Sequence, residues 1–330
     1  MRDSSNPVVA EMWRGGDTES VHRGAWVLVS TAGQVIDGAG DPYQRIFARS
    51  SSKSLQALAL FESGAAKRYE VPRPEIAVAI ASHNGQPMHV DAARSLLKRA
   101  GHTDDDLLCG PEAPAGSAAD AAGLPIMNNC SGKHAGFLAA AKSLGDAPSD
   151  YLDPDSALQT MVHRAVVDLT EAPEDSITTA IDGCSAPTFE LPLAALARGI
   201  GRVANPGELA ADRRNACEEI VTAAGLHPEL VGGTSTRRFD TELLTASNGR
   251  LFAKGGAEAV QVIGVVGEGV ALAAKIDDGR RRAMAPLVLQ VLKRHDLITE
   301  DELDAMAEWL DPVRRNTADE AVGKTILPGF

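Results

Sequence analysis

A serine and a lysine lie three residues apart at the predicted start of an apolar helix. The segment ARSSSKSLQALAL, residues 48–60, begins with serines and continues as an apolar run, so Ser50 and Lys53 share one face of the first turn. A serine hydroxyl becomes an effective nucleophile when a nearby base accepts its proton. The positive end of the helix and Arg49 disfavour another positive charge, which favours a neutral Lys53. The free N–H groups of the first turn could hold an oxyanion. The pattern predicts a serine–lysine acyl-transfer site.

The S-x-x-K spacing is weak evidence by itself, because about one such match is expected by chance in a chain of this composition. A second copy runs from Ser95 to Lys98, inside a predicted amphipathic helix and away from any helix start. Another candidate hydroxyl is Ser82, which ends the apolar run of residues 75–82. We predict that run as a buried strand, and catalytic groups often lie at strand ends. A capping role for Ser82 is the alternative.

Two cysteine segments could supply ligands for a metal ion. In NNCSGKHAG, Cys130 lies on one helix face with Lys133 or His134, and DGCSAP adds Cys184 with Asp182 beside it. Zinc binds sulfur and nitrogen donors, so these side chains could form a zinc site. The two cysteines are far apart in the chain and do not form a C-x-x-C knuckle. The spacing therefore gives only weak support to a zinc site.

Lys254 follows a β-rich run in FAKGGAEAV and precedes two glycines. Glycines beside a lysine let the backbone and a ligand approach closely, although a surface lysine is the commoner explanation. The remaining cysteines, Cys109 and Cys217, are interpreted as structural.

The predicted elements describe a mixed α/β protein. β-rich runs occur near both ends of the chain, and helices fill most of the middle third. This order predicts one largely antiparallel sheet closed by both ends of the chain, with a helical lobe. No linker or repeat divides the chain, so we interpret residues 1–330 as a single catalytic domain. Strands are predicted at 8–16, 24–40, 75–82, 176–184, 250–256, 257–266 and 269–279. Helices are predicted from Ser50 and at 88–101, 131–145, 155–172, 191–205, 206–225 and 280–297.

Composition and charge exclude several classes of function. The net charge is −13 and the longest basic run is Arg280–Arg282, so no nucleic-acid partner is expected. The N-terminus lacks the basic and apolar regions of a secretory signal, and no apolar run could cross a bilayer. We therefore expect a cytoplasmic protein with reduced cysteines and no membrane partner.

Five segments together resemble one family, the rhizobial-type L-asparaginases. They are ARSSSKSLQAL, IASHNGQPMHV, NNCSGKHAGFL, DGCSAPTFELPL and FAKGGAEAV, in that order. The resemblance extends over nearly the whole chain. It implies a fold like those of serine β-lactamases and glutaminases, a homodimer, and hydrolysis of L-asparagine to L-aspartate and ammonia.

The resemblance also implies roles for individual residues. Ser50 would pair with Lys53, and Ser82 with Lys254, as two catalytic serine–lysine pairs. A Zn²⁺ ion would be held by Cys130, Lys133 and Cys184, and a lysine binds metal only when its amine is neutral. The substrate-binding residues would be Arg49, Asn84, His134 and Asp182.

The chain departs from the family pattern at a few positions near these motifs. Asn84 stands where a serine is usual, Gln86 where a glutamate is usual, Ser185 where a glycine is usual, and Asp240 where some members have a cysteine. The proposed catalytic and metal residues remain. The departures therefore bear on affinity and amide preference more than on the reaction class.

The expected reaction is a double displacement in which one serine, first of all Ser50, forms a β-aspartyl ester that water then cleaves. The order of the two serines stays open. One alternative is a glutaminase or another S-x-x-K acyl-transfer hydrolase; a β-lactamase would also need S-D-N and K-T-G elements, which are missing. A second alternative is a zinc-dependent amino-acid-binding protein that does not turn over its ligand.

Overall fold

The two ends of the chain meet in one antiparallel sheet. The structure is a computed structural model that describes residues 6–330. Its strands are β1 (Val8–Arg14), β2 (Asp17–Ser30), β3 (Val35–Ala39), β4 (Arg45–Phe47), β5 (Thr178–Ile181), β6 (Pro187–Pro192), β7 (Leu251–Gly256), β8 (Val260–Val265), β9 (Val270–Ile276), β10 (Arg314–Arg315) and β11 (Ala321–Ile326). The large sheet has the order β10-β11-β1-β2-β9-β8-β7, with β3 also paired to β2, and a small sheet has the order β4-β6-β5.

Helices cover the large sheet and form a lobe beside it. They are α1 (Lys53–Gln56), α2 (Leu58–Glu62), α3 (Ala65–Arg68), α4 (Arg73–Ala79), α5 (Pro87–Arg99), α6 (Ser131–Leu144), α7 (Ala157–Thr170), α8 (Leu193–Ala204), α9 (Ala211–Leu226), α10 (Pro228–Val231), α11 (Phe239–Ala246), α12 (Met284–Arg294), α13 (Glu300–Ala305) and α14 (Ala307–Leu310). Short 3₁₀ turns include Arg49–Ser52, immediately before α1, and Arg281–Ala283, before α12.

The core lies between the sheet and the helices packed on it. Every residue of β7 and β8 is buried, so both faces of these strands are covered. Helix α8 contacts β2, β8 and β9, and α12 contacts β9. The rigid sheet therefore fixes the position of Lys254, which lies in β7.

The strand predicted at residues 75–82 is wrong. Residues Arg73–Ala79 form α4, which packs against α5, α6 and α9 in the helical lobe. Pro74 lies in the first turn of this helix, a favourable place for proline. A short run of continuously apolar residues has no period that separates a helix from a buried strand, and the alanines favour the helix.

Most other predicted elements are confirmed within a few residues, including the mixed α/β class and the sheet closed by both ends of the chain. The strand predicted at 24–40 is two strands, β2 and β3, and β2 begins at Asp17. The predicted helix at 206–225 begins only at Ala211, and the one at 280–297 begins as a 3₁₀ turn. Strands β4, β6, β10 and β11 are not among the predicted strands, and β4 and β10 are only three and two residues long.

Across residues 6–330, no helix has both the length and the hydrophobicity needed to span a bilayer. The single domain over residues 1–330, the homodimer and the cytoplasmic location stay predictions. The predicted lack of a secretory signal concerns the N-terminus, of which residues 1–5 lie outside the described part of the chain.

Candidate active site

The turn that carries Ser50 lies directly against the end of β7. Arg49 begins the 3₁₀ turn with φ = 51°, a left-handed conformation that costs energy for a residue with a side chain. A Cβ atom at Gly256 would lie 2.7 Å from the carbonyl oxygen of Ala48 and 3.2 Å from the amide nitrogen of Ser51. Only glycine allows this close approach, which brings Lys254 in β7 near the serine turn.

A chain of hydrogen bonds joins the two predicted lysines through Ser82. The Lys53 amine lies 3.2 Å from the Ser82 hydroxyl, and the Lys254 amine lies 2.9 Å from the same oxygen. Lys53 also donates to the carbonyl of Ala81 and lies 3.1 Å from the sulfur of Cys130. Both lysines are almost fully buried, with 1% and 0% of their surfaces exposed. Three of the four predicted catalytic residues are therefore in direct contact.

The Lys53 amine contacts Ser82, whereas the sequence predicts Ser50 as its serine partner. Within residues 6–330 no hydrogen bond joins it to the Ser50 hydroxyl, although one helical turn separates the two residues. Ser82, which follows α4, lies beside the Lys53 amine instead. The catalytic role of Ser50 stays a prediction. Its hydroxyl has no hydrogen-bond partner in the described chain, so it is free to meet a substrate.

Burial lowers the pKa of Lys254 to about 7, from an ordinary value of 10.5. Asp240 limits this shift, because its carboxylate lies 3.7 Å from the amine. That carboxylate also accepts hydrogen bonds from the Gly255 amide at 2.8 Å and from Gln261 at 2.9 Å. Burial opposes the charge of Asp240, but Lys254 and these two donors hold the pKa of Asp240 below its usual value. A neutral Lys254 is thus accessible near pH 7.

The three predicted zinc ligands come together at the start of α6. The Lys133 amine lies 3.1 Å from the sulfur of Cys184, and the Cys184 thiol donates a hydrogen bond to the Cys130 sulfur. That bond, together with the charges of Lys53 and Lys133, holds the pKa of Cys130 well below its usual value. Burial opposes the charge of Lys133, but the neighbouring sulfurs Cys184 and Cys130 raise its pKa. These shifts favour a thiolate at Cys130 and a charged amine at Lys133.

This donor set fits a zinc ion. Two sulfurs and one nitrogen are donors that zinc prefers, and three protein ligands leave a position open for water or substrate. Residues 6–330 contain no cluster of three or more histidine, cysteine, aspartate or glutamate side chains suited to a metal. The third protein ligand would therefore be the Lys133 amine. A divalent cation would replace the positive charge of Lys133 beside the Cys130 sulfur. Lys133 would have to lose a proton to bind the cation, so binding would release protons.

The four predicted substrate-binding residues lie in different places: Arg49 and Asp182 line one cavity, Asn84 lines another, and His134 lines neither. Arg49 and Asp182 form an ion pair of 2.8 Å at the mouth of the cysteine cluster. Asn84 is buried and donates to Thr236 at 3.0 Å, and its side-chain oxygen has no partner in the described chain. His134 is fully buried against Tyr151, with a 2.7 Å hydrogen bond, and lies in the wall of neither cavity described below. A direct contact between His134 and substrate is therefore not supported.

Two cavities meet at Ser50. The larger, about 650 Å³, borders Ser82, and the smaller, about 440 Å³, borders Arg49, Asp182, Cys130 and Cys184. The residues that line both are Ser50, Glu112, Asn129 and Ala257.

The junction of the cavities also offers hydrogen-bond donors. The backbone N–H groups of Ser50 and Ala257 have no acceptor in residues 6–330. Ala257 directly follows Gly256, which contacts the serine turn. A hydroxyl without a partner and two free N–H groups at one point suit the attack on a carbonyl carbon and the binding of the resulting oxyanion.

Two charged residues of the site carry no local sequence signal of their role. Asp240 stands out in the sequence only as a departure from the family pattern, and Arg238 lies two residues before it in the segment RRFDT. Arg238 donates to the carbonyl oxygen of Ser82 and so fixes the backbone of that serine. Gln261 lies in β8 and has no local signal, because its contact with Asp240 depends on strand pairing and on the position of α11.

The chain belongs to the L-asparaginase II family, whose profile matches residues 10–327. The family supports an amidohydrolase that acts on a small-molecule amide. A comparison with curated proteins returned no match. Among solved structures, the chain is similar to a β-lactamase from Mycobacterium bovis, at 16% identity over 87% of this chain and 95% of the other, with a TM-score of 0.40. It is also similar to a putative β-lactamase from Bacteroides dorei DSM 17855, at 10% identity over 82% and 93%, with a TM-score of 0.44. TM-scores of this size carry no conclusion about activity.

Proposed function

We propose that this protein hydrolyses the side-chain amide of L-asparagine to L-aspartate and ammonia through an acyl-enzyme on Ser50. The observation that carries the proposal is the chain Lys53–Ser82–Lys254, with contacts of 3.2 and 2.9 Å, beside an unpartnered Ser50 hydroxyl where two cavities meet. Membership of the L-asparaginase II family supports the choice of amide.

In the first step the Ser50 oxygen attacks the amide carbon. As the substrate binds, the proton of the Ser50 hydroxyl enters the chain Lys53–Ser82–Lys254, in which Lys254 is the amine whose pKa is lowered to about 7. The N–H groups of Ser50 and Ala257 hold the oxyanion, a contribution of a few kcal/mol to lowering the barrier. The relay returns a proton to the departing nitrogen, ammonia leaves, and water cleaves the ester.

The ion pair of Arg49 and Asp182 suits the amino-acid end of the substrate. A guanidinium can bind the α-carboxylate with two hydrogen bonds, and a carboxylate can bind the α-ammonium group. Both side chains border the smaller cavity, and Ser50 lies at its junction with the larger one. The substrate would therefore replace one salt bridge by two, with its side-chain amide directed at Ser50.

Zinc is part of the proposal as a group that supports binding. Cys130, Lys133 and Cys184 would hold it, and their convergence around a 3.1 Å nitrogen–sulfur contact supports this set. When bound, the ion would supply positive charge near the amino or carboxylate end of asparagine. The proton transfers described above use only the serines and lysines of the chain.

An ammonia assay on L-asparagine, L-glutamine and D-asparagine tests the reaction. We expect release from L-asparagine, lost at least a thousandfold in Ser50→Ala, and a covalent ester on Ser50 in wild-type protein by mass spectrometry. The matched control is Ser95→Ala, which changes the exposed serine of the other S-x-x-K. Full activity of Ser50→Ala would refute the nucleophile. A faster reaction with glutamine would identify a glutaminase, and asparagine binding without ammonia release would identify a binding protein.

A further inference from the structure

The larger cavity is much bigger than the ammonia that asparagine hydrolysis would release into it. Its volume is about 650 Å³, whereas a water molecule, similar in size to ammonia, takes about 30 Å³ of liquid. Cavities of this size usually hold a whole organic ligand. Because the proposed amino-acid end of the substrate fits the smaller cavity beyond Ser50, the larger one lies on the side of the leaving group.

One wall of the larger cavity is apolar. Phe239 and Trp309 border it as an edge-to-face pair with ring centroids 5.5 Å apart, and Met284 is buried beside it. The guanidinium of Arg237 lies 4.7 Å from the centroid of the Trp309 ring and holds that ring in place. A surface of two rings and a thioether favours an aliphatic or aromatic group over water.

Another part of the same cavity carries positive charge that no carboxylate neutralises by direct contact. Arg238 donates to the carbonyl of Ser82 and Arg281 to that of Gly256, and neither forms an ion pair within residues 6–330. Arg281 lies next to β7, with one nitrogen 3.3 Å from the position of a Cβ atom at Gly255. Two guanidinium groups with backbone partners only are suited to bind a carboxylate.

None of the three acidic groups that border the cavity forms an ion pair with Arg238 or Arg281 in the described chain. Asp240 accepts from the Gly255 amide and from Gln261, and it lies 3.7 Å from Lys254. Glu112 accepts two hydrogen bonds from Asn129. The carboxylate of Glu258 lies against Gly279, where a Cβ atom would be 2.4 Å from it. These contacts leave the two arginines available to an anionic ligand.

We infer that the site accepts an amino acid as the leaving group in place of ammonia. The protein would then also cleave β-aspartyl dipeptides whose second residue has an apolar side chain. That residue would place its side chain against Phe239 and Trp309 and its carboxylate between Arg238 and Arg281. Attack by Ser50 forms the β-aspartyl ester and breaks the isopeptide C–N bond, and the departing α-amine takes the serine proton. Water then yields aspartate and the free second amino acid.

This inference rests on the proposed amide hydrolysis, and substrate comparison separates the two. With β-aspartyl-leucine we expect leucine release with a kcat/KM within tenfold of that for asparagine. β-Aspartyl-glycine lacks the apolar group and β-aspartyl-leucine amide lacks the carboxylate, so each should react at least tenfold more slowly than β-aspartyl-leucine. Ammonia from asparagine without leucine from the dipeptide would overturn the inference and leave the proposed function intact. No product from either substrate would overturn both.

Two arginine variants test the carboxylate site. Arg281→Gln should lower the ratio of kcat/KM for β-aspartyl-leucine to that for asparagine at least fivefold, mainly through KM. Arg280→Gln is the matched control, because the neighbouring arginine does not border the cavity and should leave the ratio unchanged. An equal loss for both substrates in Arg281→Gln would overturn the inference, since the arginine would then serve asparagine itself.

Discussion

The Lys254 amine lies 2.9 Å from the Ser82 hydroxyl, although 172 positions separate the two residues in the chain. One is held in a fully buried strand of the large sheet, and the other follows α4 at the edge of the helical lobe. The proton relay therefore bridges the two parts of the fold, with Lys53 of α1 as its third member. Changes that separate sheet and lobe would break the relay without touching any of its side chains.

The protonation state of the Lys254 amine predicts how activity depends on pH. The relay needs one neutral amine, and burial lowers the pKa of Lys254 to about 7. Asp240 acts against this shift, while Lys53, Arg238 and Arg281 act with it. Protonation below pH 7 should stop the transfer, so kcat/KM for asparagine should rise with pH and level off above about pH 8. Initial rates from pH 5 to 9 measure this, and a pH-independent rate would contradict it.

Asp240→Asn should move that pH profile to lower pH. The carboxylate 3.7 Å from the amine favours the charged form of Lys254, and its removal lowers the pKa of Lys254 further. The asparagine side chain introduced by this substitution keeps an oxygen that can accept from the Gly255 amide, so the strand geometry should persist. We expect the acidic limb to shift by about one pH unit. Glu258→Gln is the control, because the Glu258 carboxylate lies against Gly279, forms no ion pair with Lys254 in the described chain and should leave the profile in place. A purely structural role of Asp240 would lower the rate at every pH without this shift.

Short local patterns predicted much of the site, and tertiary packing supplied the rest. Ser50, Lys53, Ser82 and Lys254 were all marked by local sequence, because each stands at a helix start, a segment end or beside glycines. The partner of Lys53 was not predictable in this way. It follows from the helical conformation of residues 73–79, where an unbroken apolar run gives no periodicity.

Asp240 is a second residue whose role local sequence could not predict. Its importance comes from Lys254 and Gln261, which lie in two paired strands, and no spacing in the chain encodes that meeting. The mixed α/β class and the closure of the sheet by both ends were predictable because alternation and apolar runs recur in β1, β2 and β7 to β9. The short strands β4 and β10 form only through pairing, and a three-residue or two-residue strand has no pattern of its own.

Removal of one cysteine tests the metal site. Purified wild-type protein should contain about one zinc per chain, and Cys130→Ala should lose it, because only two protein ligands would remain. Cys217→Ala is the matched control, since that thiol is buried in α9 away from the site. Metal analysis by mass spectrometry decides the question. Unchanged zinc in Cys130→Ala, or no zinc in wild-type protein, would refute the site.

Removal of zinc by a chelator should weaken substrate binding much more than it slows the chemical steps. If zinc supports the amino-acid end of the substrate, its removal should raise KM for asparagine at least tenfold and lower kcat much less. Readdition of zinc should restore KM and release protons, because the Lys133 ammonium and the Cys184 thiol must both lose a proton to bind metal. Proton release can be followed with a pH indicator in weak buffer, independently of activity. A loss of kcat at constant KM would contradict the binding role.

Ser185→Gly should stabilise the protein. Ser185 follows Cys184 with φ = 68°, a left-handed conformation that glycine adopts without steric cost and other residues adopt at about 1–2 kcal/mol. Glycine also has more freedom in the unfolded chain, so the net gain in the free energy of unfolding should be about 1 kcal/mol. Ser149→Gly, at an exposed turn position outside the left-handed region, should give no gain and is the control. Urea unfolding of both variants measures the difference, and an equal or lower stability of Ser185→Gly would show that contacts of the serine side chain outweigh the backbone strain.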